Sequence, residues 1–187
     1  MQLSTAFKQS FTPVEPNIQY TEEVIYLTVS SRDRDVILYP NPSSYTVTLD
    51  QEIKNIHSIE LFRSILPNKN GLVDEPYLTL KIAEINNTFS TNDNTLNSAF
   101  AMIPIHFQTA GNFIHSDTHE NVKKIFYGAS KASLGRLTIS LHKEDGSLFS
   151  FGTDTPDPPN KLFQNTFIFK ISIFNKNRTP LDFRNVY

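Results

Sequence analysis

The sequence predicts an all-β fold, an antiparallel β-sandwich with extended N- and C-terminal arms, from three observations. Apolar and polar residues alternate at period two in several stretches, most strongly at Phe167, Phe169, Ile171 and Ile173; that spacing puts the four side chains on one face of a strand. The stretches are short and are separated by clusters of Pro, Gly, Asn, Asp and Ser, which punctuate strands joined by turns. Helical periodicity is scarce. About eight or nine strands with turn signals between them point to a sandwich or barrel.

Composition narrows the class. The 187 residues suit one domain, and a chain of this length buries roughly 70% of its unfolded surface, enough for a substantial core. With 15 Phe and no Trp, that core is expected to be aromatic and aliphatic. A net charge of −2 and the lack of a basic stripe argue against nucleic-acid binding through counterion release. The absence of cysteine excludes disulfides, thiolate metal sites and a cysteine nucleophile. The first eleven residues lack the apolar centre of a signal peptide, and no apolar run approaches the ~20 residues that span a bilayer. The sequence therefore predicts a soluble protein made in the cytosol, with an arm over 1–22, a sandwich over 23–174 and a tail over 175–187.

Residues 1–22 scatter Phe7, Phe11 and Tyr20 among polar residues and two prolines. Either the stretch is a frayed end or it is an arm whose aromatics dock on a neighbour; low hydrophobicity is what normally keeps a tail solvated. Val24–Val29 is a near-continuous run of β-formers and reads as a strand buried on both faces. Arg32-Asp33-Arg34-Asp35 alternates charge and reads as a salt-bridged strand exit or turn, since a guanidinium can hold a carboxylate or backbone carbonyls; an Arg-lined contact with a partner's carboxylates is the rival reading. Pro40 and Pro42 forbid a helix or central strand over 39–44. Tyr45, Val47 and Leu49 then share one face of a half-buried strand.

Ile53–Leu66 fits either a helix or a long strand, and its density of Ile favours the strand after a short turn at Lys54-Asn55. Leu78, Leu80 and Ile82 line one face of a cleaner strand. Residues 86–97 and 109–120 read as loops, and between them Ala101, Ile103, Ile105 and Phe107 share a face, with Pro104 marking a bulge or edge. Val122–Tyr127 reads as a short strand and Leu137, Ile139 and Leu141 as the face of another. Asp145-Gly146 supplies a hairpin turn into Leu148–Phe151. Pro156, Pro158 and Pro159 stiffen the loop that follows, before the Phe167–Ile173 strand. The polar tail ends with Phe183 and Tyr187.

Several segments in this order carry a resemblance. "SRDRD…YPNPSSYTVTL…IKNIHSIELFRSILPN", "EPYLTLKIAEI", "NSAFAMIPI", "LGRLTISLHKEDGSLFSFG" and "FIFKISI" together resemble the minor capsid proteins of large icosahedral double-stranded DNA viruses of algae and protists. The resemblance covers most of Val24–Phe174 and lies in the ordered combination, not in any catalytic signature. It implies a jelly-roll-like sandwich, and a structural, non-enzymatic role on the inner surface of the virion capsid after synthesis in the host cytoplasm. The implied partners are the major capsid protein, other minor capsid proteins and further copies of the chain. The same features also fit a carbohydrate- or receptor-binding sandwich of a fibre or lectin type.

Candidate chemistry is sparse. His115 and His119 are four apart with His106 upstream, but the stretch between them lacks the helical period that would bring two imidazoles together. Asp154 and Asp157 lack the dense oxygen-ligand spacing of a calcium loop and read as turn caps. Phosphate-binding glycine loops and nucleophile elbows are absent, and neither metal nor cofactor is expected.

Overall fold

The structure is a computed structural model, and it describes residues 19–85, 96–106, 111–117, 122–127, 131–154 and 158–177. Eight strands carry the fold: β1 (Gln19–Ser30), β2 (Ser44–Pro67), β3 (Tyr77–Ile82), β4 (Ala101–Pro104), β5 (Phe113–Asp117), β6 (Lys123–Ile125), β7 (Lys131–His142) and β8 (Thr166–Asn177). All pair antiparallel in one hydrogen-bonded path, β1-β8-β2-β7-β3-β4, with β5 and β6 attached to β2. Helical structure among the described residues is limited to single 3-10 turns. No helix among them is long and apolar enough to cross a membrane.

The architecture turns on β2. Its first part pairs with β7 from Ser44 to Ile56, and its second with β8 from Ile56 to Ile65. From Tyr45 to Ile65 a straight strand would span about 66 Å. Yet the Tyr45 hydroxyl donates at 2.8 Å to Asn165, the neighbour of the Thr166 that pairs with Ile65. The strand must therefore double back. The register shift between Thr48 and Ile53 and the left-handed backbone of Asn55 (φ 55°) mark the bend; Asn is among the few residues with a side chain that tolerate that conformation. One continuous sheet thus curls into a half-barrel with two facing layers.

Between the layers lies one core. Tyr45, Val47, Leu78, Leu80, Ile82, Phe167, Phe169 and Ile171 are buried in it, and Leu49 and Ile173 pack against it half-buried. Phe169 of β8 meets Phe100, just before β4, edge to face at 6.0 Å. β8 is second and β4 last along the hydrogen-bonded path, so this contact packs the two facing layers together. Each such side chain contributes about 1.5–3 kcal/mol by leaving water.

Several elements differ from the sequence reading. Val24–Val29 is not buried on both faces: it lies in an edge strand whose Val24 and Tyr26 are 44% and 60% exposed. Tyr45–Leu49 and Ile53–Leu66 are one strand, because the irregularity between them bends the chain without ending its pairing. Within the expected loop 109–120 lies β5, where Ile114 and Ser116 face inward; a serine on the buried side erases the alternation. Leu148–Phe151 makes only a single bridge, Leu148 to His142, before Phe149 and Phe151 enter the core 4.9 Å apart. Tyr20, assigned to the arm, is in β1 opposite Lys176, and β8 continues through Asn175 to Asn177.

Candidate interaction surface

Ser31–Asp33 forms a 3-10 turn after β1, so the four charged residues do not alternate along an extended strand. Arg32 and Asp33 are exposed, whereas Arg34 turns inward. Its Nη2 meets Asp154 Oδ2 at 2.9 Å, with both side chains fully out of solvent. Nε donates to the Tyr39 carbonyl at 2.8 Å, and Nη1 to the Ser31 carbonyl and Gln164 Oε1, both at 2.6 Å. A longer bond from Nη2 reaches the Pro40 carbonyl at 3.4 Å. All five guanidinium N–H groups are used and the charge is matched by Asp154, which together make a buried cation tolerable in the interior.

The partners are themselves tied together. Gln164 Nε2 donates to Asp154 Oδ2 at 2.6 Å and to the Asn160 carbonyl at 2.8 Å, and the Asn160 N–H donates to Asp154 Oδ1 at 2.7 Å. Asn165 donates to the carbonyl of the buried Pro42 and accepts from Tyr45. Burial pushes the Tyr45 phenol far above its ordinary range, partly offset by the nearby Arg34 cation, so it stays a neutral donor. Asp154, read from sequence as a turn cap, does cap Asn160, but its second oxygen belongs to Arg34. Asp157 lies outside the described residues.

This brace presents a turn. Asp35 Oδ1 accepts from the N–H groups of Ile37 and Leu38 at 2.9 and 3.0 Å, and the Tyr39 N–H returns to the Asp35 carbonyl at 2.8 Å. With Arg34 holding the far side through Tyr39 and Pro40, the tip is fixed at both ends. Ile37 and Leu38 stand on it 86% and 66% exposed. Sequence reading passed over this pair: an isolated Val-Ile-Leu has no periodicity to say whether it faces in or out.

A second apolar area lies on the outer face of β1 and β2. Tyr26 meets Phe62 edge to face at 5.4 Å, and the Arg63 guanidinium lies 5.8 Å from the Phe62 ring while pairing with Asp117 at 2.5 Å. Tyr20 lies 6.2 Å from Phe174, which stacks on His57 at 4.1 Å. Phe7, Phe11, Phe183 and Tyr187 lie outside the described residues.

His106 follows β4 and His115 is on β5, both exposed, while His119 is outside the described residues. Among the described residues no group of three or more His, Cys, Asp or Glu could hold a metal ion. His142 is half-buried. Its Nδ1 faces the Gly146 carbonyl at 3.0 Å and must carry the proton, leaving Nε2 to accept from Ser140 Oγ at 3.0 Å.

Residues 17–118, more than half of the chain, match the model of a family of unknown function (DUF5901). No curated protein matches the chain.

Proposed function

The chain belongs to the family of unknown function DUF5901, and we propose that it is a structural minor capsid protein that binds neighbouring subunits beneath a shell of major capsid protein. The reading starts from the resemblance of its ordered segments to such proteins. The observation that carries it further is the Ile37–Leu38 tip. Two adjacent aliphatic side chains are displayed to water on a turn fixed by Asp35 and by the buried Arg34. A preorganised apolar knob loses little conformational entropy on docking, so more of its contact energy appears as affinity. Its chemistry suits a concave apolar pocket on a neighbour, with the Tyr26–Phe62 area as a second, flatter contact. Weak contacts of this kind gain strength when repeated over a lattice.

The test is to locate the protein in purified particles. Membrane extraction and mild disruption of the shell are followed by mass spectrometry of each fraction. The protein is expected in the shell fraction, in fixed proportion to the major shell protein. Its absence from particles, or a reproducible glycan-array hit by the purified chain, overturns the reading.

A further inference from the structure

We infer that the cleft between β1 and the first half of β2 is an open seam of the half-barrel, and that it takes residues 2–11 of this chain as an added strand. This rests on, and deepens, the reading of the N-terminal stretch as a docking arm. The cleft encloses about 790 Å³. One wall is Leu27–Ser30 with Asp33; the other is Val47–Gln51 with Ile53.

Pairing explains why the cleft exists. Among the described residues β1 is bonded to a strand on one side only, by β8, and β2 before its bend is likewise bonded only by β7. Consecutive residues of both strands line the cleft, so strand edges face it as well as one set of side chains. Leu27, Leu49 and Ile53 remain only half-buried there while packing against the core. An unpaired strand edge beside apolar side chains is the receiving half of strand addition, in which main-chain bonds supply affinity and alternate side chains fill pockets.

Three features select the occupant. Residues 2–11 contain no proline, and Leu3, Phe7 and Phe11 fall on one face of an extended strand, the complement of Leu27, Val47, Leu49 and Ile53. The stretch carries Lys8 and no acid, whereas the cleft lining carries Asp33 and Asp50 and no base. Reach is sufficient: from Gln19 back to the level of Leu27 is about 26 Å, and the 18 residues before Gln19 extend to about 60 Å. Residues 178–187 fit less well, because Pro180 interrupts them and removes a main-chain donor.

The chain has no cysteine, so introduced pairs report contact without background. In the full-length protein, Thr48→Cys is combined in turn with Ser4→Cys and Gln9→Cys, and Asp145→Cys on the distant hairpin replaces Thr48→Cys as control. Oxidation is expected to cross-link one cleft pair at least tenfold faster than the control. In a separate measurement, the Phe7→Asp/Phe11→Asp variant is expected to exchange the amides of Leu27–Ser30 and Val47–Ile53 at least tenfold faster than the parent. Control-level cross-linking together with unchanged exchange overturns the inference, while the capsid role stands or falls on the particle fractions. A fast cross-link between chains supports both the seam and the joining of subunits. A fast cross-link confined within one chain supports the seam and removes this arm from the capsid contacts.

Discussion

Arg34 and Asp154, 120 residues apart, meet at 2.9 Å with no solvent on either side chain. The pair fastens the turn after β1 to the loop before β8, and each partner's remaining hydrogen-bonding capacity is taken up by Ser31, Tyr39, Asn160 or Gln164. Removing one member strands the other in the interior.

Arg34→Ala is therefore expected to destabilise the fold by about 3–5 kcal/mol, the cost of leaving a buried charge uncompensated. Arg34→Lys rescues little, because a point ammonium cannot span five acceptors. Arg32→Ala, on an exposed side chain, changes stability by no more than about 0.5 kcal/mol. Urea unfolding of the three variants checks the contrast; equal effects at positions 32 and 34 would refute it.

Phe169→Ala removes the ring that faces Phe100 across the core. A loss of about 3–5 kcal/mol is expected in denaturant unfolding. A loss below 1 kcal/mol would mean that the two layers do not depend on this contact.

Ile37→Asp and Leu38→Asp alter exposed side chains at a turn held by backbone and Asp35 bonds. Neither is expected to move the melting temperature by more than about 2 °C. Both are expected to reduce incorporation into particles at least tenfold, measured by quantitative mass spectrometry. Normal incorporation would dismiss the tip as a contact.

His142 gives a pH signature. Burial lowers its proton affinity below the ordinary 6.5, the Gly146 carbonyl partly offsets this, and the Lys81 charge lowers it further. The unfolded chain thus takes up the proton at higher pH than the folded one. The stability this contributes is fully present above about pH 6.5 and declines as pH falls through that value towards the depressed folded one. Urea midpoints measured from pH 8 to pH 5 should fall in the parent and fall less in His142→Gln. Parallel curves would remove His142 as the cause.

How far the sequence was legible depended on whether one strand face was purely apolar. Phe167–Phe169–Ile171 and Leu78–Leu80–Ile82 met that condition and are buried rows. β5 did not, because Ser116 sits on its inner side, and β1 misled because its exposed Val24 and Tyr26 are as β-prone as its inner residues. In the charged stretch, composition pointed to a salt-bridged turn. Nothing local could say that Arg34 and not Arg32 goes inside, since its partners Asp154 and Gln164 come from the far end of the fold. The Ile37–Leu38 tip was hidden for the opposite reason: its exposure follows from side-chain bonds that have no period.

The pairing of β1 also bears on how the chain is made. β1 ends at Ser30 and its only described strand partner runs from Thr166 to Asn177. At ribosomal rates of roughly 5–20 residues per second, β1 emerges roughly 7–30 s before that partner is complete. Until then a β-prone segment with Tyr20, Ile25, Tyr26 and Leu27 lacks the β8 strand that it pairs with along its whole length. Glu22 and Glu23 sit within it as charges that discourage the wrong pairing. Nascent chains on one message are close together, so neutralising both glutamates is a route to co-translational aggregation, separate from any loss of the bonds they accept from Ser172 and Asn175 in the finished fold.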